Sequence, residues 1–337
     1  MTSRAFIAGC SGVRLTEDER AFFRAAEPWG FILFARNVED PDQVRALVEG
    51  LRDAVGWAAP VLIDQEGGRV QRLRPPHWTD DPPAEAFGAL YLADQMAALE
   101  AVRLNSRAIA ADLSALGIDV DCLPVADLRH PDGHGIIGNR AYGTEPEPVA
   151  ALARAAAVGL LEGGVLPVLK HIPGHGRAPV DSHEKLPVVA APRAVLEEQD
   201  FAAFRALADL PLGMTAHVVY ADIDAAHPAT TSPKVVAEVI RGSIGFSGLL
   251  MSDDLSMGAL AGDMRTRGRD AIGAGCDMLL HCNGRLGEME DVAAVSPLLG
   301  GVAYERAGRA LALREACDEV DAADLRAAVA AHLKTVA

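Results

Sequence analysis

A single-domain α/β protein built as a (β/α)8 TIM barrel is the fold this sequence predicts, on three observations. Short apolar runs recur eight times, helix-like stretches separate them, and polar residues gather where the runs end. The runs are 5–8, 30–35, 60–65, 119–127, 166–171, 212–218, 248–253 and 277–282. Most are rich in Val, Ile and Leu and too short for helices, which suits strands buried on both faces.

The intervening stretches carry helix signals. Segment 16–26 opens with Thr16 and an acidic first turn, a capping signature. Segment 41–55 follows Asp40 and has Pro41 at the tolerated first position. Stretches 84–116, 146–162, 192–208, 233–240, 257–274 and 286–298 complete the alternation. The tail, 303–336, reads as one or two further helices packed outside. Residues 1–300 are therefore expected to form the barrel and 301–337 a helical extension on it. An open doubly wound sheet is the rival architecture. It is disfavoured because no dinucleotide glycine fingerprint follows an early strand.

Composition narrows the partners. The 337 residues carry a net charge of −16, which repels phosphate backbones and argues against nucleic acid. The five cysteines, Cys10, Cys122, Cys276, Cys282 and Cys317, form no CxxC and no zinc-ligand spacing, a pattern suited to a reducing cytosol. No signal-peptide core opens the chain, and no run reaches the roughly 18 apolar residues of a membrane span. A cytoplasmic protein without membrane contact is expected.

Chemistry concentrates at the run ends: Asp64-Gln65-Glu66, Asp127, Lys170-His171, His217, Asp253-Asp254 and His281. In a barrel these ends converge on one mouth. The densest segment is Lys170-His171-Ile172-Pro173-Gly174-His175-Gly176, followed by Asp181-Ser182-His183. Three histidines and an aspartate so close admit a metal site, but no HxH or HExxH is present and Lys170 adjoins the first His. Acid/base work fits better. Two residues apart on an extended loop, the Asp181 carboxylate can fix the tautomer of His183 while the other ring nitrogen faces a substrate. In Ser252-Asp253-Asp254-Leu255-Ser256-Met257, Asp254 serves equally as a helix cap, whereas Asp253 is placed to project into the mouth. The dense polar set Asp64 to Arg72 suits a poly-hydroxylated ligand. Arg140, in Ile137-Gly138-Asn139-Arg140, is a further candidate.

Together these pieces resemble the family 3 glycoside hydrolases, in particular the bacterial single-domain β-N-acetylglucosaminidases of peptidoglycan recycling. The matching motifs are GFILFARN at 30–37, DQEGGRVQR at 64–72, IGNRAYG at 137–143, KHIPGHG at 170–176, DSH at 181–183, MTAHV at 214–218 and SDDLSM at 252–257. The resemblance implies double displacement. Asp253 would be the nucleophile, and His183, oriented by Asp181, the acid/base. Asp64, Arg72, Arg140, Lys170 and His171 would bind the sugar. It implies no cofactor and no metal. The expected partner is a small saccharide or muropeptide, and the chain is expected to be a monomer or weak dimer. The position after SDDLSM, often Glu in the family, is Gly258 here and is expected on a helix with little effect on the chemistry. β-Glucosidases, β-xylosidases and phosphorolytic relatives of the same family stay open as alternatives, as do a metal-dependent barrel hydrolase using His171, His175, His183 and Asp253 and a barrel that only binds sugar.

Overall fold

All eight apolar runs contribute a strand to one closed barrel in the computed structural model, which describes residues 3–314, 318 and 320–334. The strands are β1 (Arg4–Gly9), β2 (Pro28–Leu33), β3 (Val61–Ile63), β4 (Val120–Asp121), β5 (Leu166–Ile172), β6 (Leu212–Thr215), β7 (Leu249–Asp254) and β8 (Met278–His281). Each pairs in parallel with its sequence neighbours, and β8 closes on β1. This is the predicted (β/α)8 barrel.

The two-residue period of a strand divides the apolar residues into two layers. Ile7, Ile32, Leu62, Val120, Val168, Met214, Met251 and Leu280 fill the barrel interior. Their neighbours Phe6, Phe31, Leu33, Ile63, Leu169 and Leu250 point outward beneath the helices. That register decides which side chains reach the mouth. Counting by two from Leu62, Val168 and Met251 leads to Asp64, Lys170 and Asp253.

The helices follow the expected alternation, with informative departures. α1 (Glu17–Ala26) begins with the Thr16–Glu19 capping box. α2 (Pro41–Val55) is capped by Asp40 and ends at the left-handed Gly56. The stretch 84–116 divides into α3 (Ala84–Ala93) and α4 (Gln95–Ser114), because the Asp94 side chain accepts from Ala97 N–H and starts a new helix. α5 is Pro146–Glu162. The stretch 192–208 divides into α6 (Arg193–Glu198) and α7 (Asp200–Arg205), and 235–243 is a π-helix. Of 257–274 only α8 (Met264–Ala274) is helical, capped by Asp263. Residues 255–260 form turns, so Gly258 does not lie on a helix. α9 is Leu286–Val295.

The tail forms α10 (Gly301–Leu311) and α11 (Ala322–Leu333); Cys317 lies outside the described residues. Arg306 and Arg314 bond Asp277 and Asp119 at the barrel. Arg326 of α11 grips Asp81 at 2.7 Å and Asp112 at 2.7 Å. The Asp81 carbonyl in turn accepts from Gly68 N–H, in the hairpin that carries Glu66. Among the described residues, no helix is long and apolar enough to cross a membrane.

Candidate active site

The C-terminal strand ends enclose a cavity of about 230 Å³. Ile32, Met214, Leu280 and Cys282, the topmost interior residues, make its apolar floor. Asp64, Arg72, Arg140, Lys170, His171, His183 and Asp253 line its walls. Every predicted site residue except Asp181 therefore faces one cavity, and Asp181 bonds His183 behind it.

One wall is a buried charge cluster. Lys170 Nζ donates to Asp64 Oδ1 at 2.8 Å and lies 2.7 Å from Glu66 Oε1. Arg72 donates to the other Asp64 oxygen at 2.8 Å. Arg140 donates to both Glu66 oxygens, at 2.7 and 2.8 Å. Burial opposes the charge on each carboxylate, but the cations outweigh it. They hold Asp64 well below the usual carboxylate range and Glu66 at about 2. Lys170 is held above its ordinary value: burial works against its charge, and Asp64 and Glu66 more than compensate. The cluster is thus fully ionised at neutral pH, with its geometry set before any ligand arrives. Phe34 packs under the Arg72 guanidinium, 5.1 Å from ring centroid to Cζ.

Beside this wall, the His171 Nδ1–H donates to Asp127 Oδ2 at 2.7 Å, which turns the opposite ring edge toward the cavity. The other Asp127 oxygen accepts from His175 N–H at 2.6 Å. Asp253 stands at the end of β7. Burial opposes its charge, but the adjacent His217 and His171 rings and the Asp254 backbone N–H hold its carboxyl below the usual range. It is ionised at neutral pH, as a nucleophile must be. Asp254 accepts from Ser256 N–H, Ser256 Oγ and Cys282 N–H, so it organises the turn after β7 and caps no helix.

The remaining catalytic candidates lie on a loop at the rim. His183 Nδ1–H donates to Asp181 Oδ1 at 2.8 Å, and that oxygen also accepts from His183 N–H at 2.9 Å. The His183 side chain is 63% exposed, yet it lines the cavity. This is the predicted carboxylate-oriented imidazole. Ser182, between the pair, is buried, and its Oγ meets His175 Nε2 at 2.9 Å. Burial, with His171 beside it, pushes the His175 imidazole down to about 4. His175 is therefore a neutral prop under the loop. Among the described residues, no three of His, Cys, Asp or Glu are placed to hold one metal ion. His171 and His175 instead face Asp127 and Ser182.

The model of the glycosyl hydrolase family 3 N-terminal domain matches residues 10–299. The chain belongs to the family 3 glycosyl hydrolases. This family 3 chain is 40% identical over 277 residues to a β-hexosaminidase of Bordetella avium strain 197N, spanning 81% of this chain and 79% of that one. It superposes with a TM-score of 0.87 and 32% identity on NagZ from Neisseria gonorrhoeae in complex with N-trifluoroacetyl-D-glucosamine, covering 100% of this chain and 99% of that one. A family 3 β-N-acetylglucosaminidase from Paenibacillus sp. strain FPU-7 matches with a TM-score of 0.85 and 29% identity, covering 97% of this chain and 66% of that one.

Sequence reasoning missed several parts of this family 3 site. Glu66 and Phe34 were detectable, since each lies two residues beyond an inward-facing neighbour, Asp64 and Ile32. Asp127 was visible as a polar strand end, but its double hold on His171 and His175 is a tertiary fact. The seating of Ser182 on His175 has no local signal.

Proposed function

We propose that this family 3 hydrolase removes terminal β-linked N-acetylglucosamine from small saccharides, with muropeptide fragments in the cytoplasm as its substrates, and that it works as a monomer or weak dimer. The observation that carries this reading is one cavity bearing an ionised carboxylate, Asp253, and a carboxylate-oriented imidazole, His183. A cavity of about 230 Å³ is small beside the roughly 300–1,000 Å³ of drug-sized ligand sites, which favours one terminal sugar ring over a chain. The charge cluster of Asp64, Glu66, Arg140 and Lys170, with Arg72 and His171, offers donors and acceptors to ring hydroxyls and the N-acetyl group. The β-hexosaminidase and NagZ relatives support N-acetylglucosamine as the sugar.

The reaction runs in two steps. An Asp253 carboxylate oxygen attacks the anomeric carbon as the bond to the leaving oxygen breaks, and the protonated His183 gives its Nε2 proton to that oxygen. A water oxygen then attacks the same carbon while the neutral imidazole takes the water proton, which frees Asp253. The net change is addition of water with retention of anomeric configuration. Asp181 keeps the ring oriented and stabilises the imidazolium. An imidazole acid leaves no negative charge when it has given up its proton, unlike the second carboxyl of the usual pair.

The test is trapping with a 2-fluoro sugar, whose glycosyl-enzyme persists, followed by peptide mapping. The label is expected on Asp253. A label on another carboxylate, or an inverted product, overturns the mechanism. Cleavage of the β-glucoside but not the β-N-acetylglucosaminide overturns the substrate.

A further inference from the structure

Gly258 lies five residues beyond Asp253, on the exposed surface of the turn that follows β7. Its backbone φ is outside the left-handed region, so its conformation does not demand glycine. Its surroundings do. A β-carbon built there would sit 2.8 Å from the His183 carbonyl oxygen, 2.8 Å from the Glu184 carbonyl oxygen and 3.2 Å from the Glu184 carbonyl carbon. All three are backbone atoms of the acid/base loop and have no side-chain torsion by which to step aside.

The approach is close because the two segments are bonded. Gly258 N–H donates to the His183 carbonyl at 3.1 Å, and Ala259 N–H donates to the Ser182 carbonyl at 3.1 Å. On its other side the loop rests on His175 through Ser182 Oγ. The turn that receives it is braced from behind. Arg267 of α8 donates from one nitrogen to the Leu255 carbonyl at 2.7 Å and the Met257 carbonyl at 3.1 Å. Met257 and Ala259 on either side of Gly258 are buried. Of the two partners, the turn is therefore the fixed one and the exposed loop the one that yields.

We infer that the 258–259 turn is the seat of the acid/base loop, and that Gly258 is a positioning residue which sets how close His183 stands to Asp253. It acts only through the loop backbone and touches neither substrate nor reacting atoms. The same strand end thus supplies the nucleophile and, a turn later, the surface against which the proton donor is gauged. This inference rests on the glycosidase reading given above.

The test compares two β-N-acetylglucosaminides, N,N′-diacetylchitobiose, which needs leaving-group protonation, and the 2,4-dinitrophenyl glycoside, which does not. Gly258→Ala keeps the N–H and adds only the β-carbon. It is expected to lower kcat/KM on diacetylchitobiose by about 10- to 100-fold, the scale of a misplaced catalytic group. On the dinitrophenyl glycoside kcat/KM is expected to stay within about twofold, because that bond breaks without the acid. Azide, a nucleophile that needs no base, is expected to raise the variant's kcat on the dinitrophenyl glycoside and give the β-glycosyl azide. Gly273→Ala in α8, where an added β-carbon meets nothing within 4 Å, is the control and is expected to match the native chain. Hydrogen–deuterium exchange of the native chain provides an arm free of any folding defect. The amides of Gly258 and Ala259 are expected to exchange at least about tenfold more slowly than in an unstructured peptide. Unchanged diacetylchitobiose kinetics in a folded Gly258→Ala, equal losses on both glycosides, or unprotected amides overturn the inference while the glycosidase reading stands. A native chain inactive on both glycosides overturns that reading and the inference with it.

Discussion

The two walls of the cavity are built on opposite principles. The wall made by β3, β5 and the 137–143 loop is a closed set of ion pairs, with the Lys170 and Glu66 side chains only 2% and 4% exposed. The rim made by 181–183 is more open, with His183 at 63%, and is held by the Asp181 carboxylate, the Ser182–His175 bond and backbone bonds to 258–259. A binding surface benefits from fixed dipoles that need no rearrangement when substrate arrives. In the mechanism proposed above His183 shuttles a proton, approaching for each transfer and withdrawing to release product, which carriage on a loop allows. Asp253, in the strand β7, lines the same cavity and is the reference point for both.

Removing Asp253, the proposed nucleophile, tests whether this reference point is indispensable. Asp253→Ala is expected to lower kcat on every glycoside by on the order of 10⁴-fold or more, with the melting temperature little changed. Comparable residual activity would mean that neither wall is organised around this residue. Next in size is His183→Ala. It is expected to cost about 10²- to 10⁴-fold on substrates with poor leaving groups and little in kcat/KM on dinitrophenyl glycosides. Equal losses on both would erase the functional distinction between rim and wall.

The buried wall is sharpened by Lys170→Met, which leaves Asp64 and Glu66 short of their shared cation. We expect a loss of about 3–5 kcal/mol in unfolding free energy, read by denaturant melts, besides weaker substrate binding. A stable variant with only a raised KM would show that Arg72 and Arg140 suffice to hold the wall. The smallest effect concerns the prop under the rim. Burial favours neutral His175 and brings its folded-state value from 6.5 to about 4. As pH falls from 6.5 toward 4, the unfolded chain takes a proton that the folded chain refuses, so this stabilisation is progressively lost. His175→Asn is expected to flatten the decline of melting temperature across that window. An unchanged slope would assign the pH sensitivity elsewhere.

Much of this was legible in the chain itself. Val/Ile/Leu runs located all eight barrel strands, because strands buried on both faces have few other compositions. Helices 41–55 and 146–162 match the sequence reading to the residue, since proline fits the first turn of each and glycine, Gly56 or Gly163, follows the last residue. Asp94 in 84–116 is a cap set inside a continuous apolar pattern, and periodicity passed over it. Residues 257–262 fall within the expected helix 257–274, yet tertiary bonds to 182–183 and Arg267 hold them outside α8. The same asymmetry holds at the site. Single residues projecting from strand ends were found, whereas contacts that join two distant segments, such as His175 with Ser182, leave no periodic trace.

The grip of Arg326 on Asp81 has a consequence for the order in which the protein is made. Asp81 holds the hairpin behind Glu66, so that wall receives its outer brace from a residue 245 positions further along the chain. Until α11 has left the ribosome, the nascent barrel can have every strand in place and still lack the fastening for that hairpin.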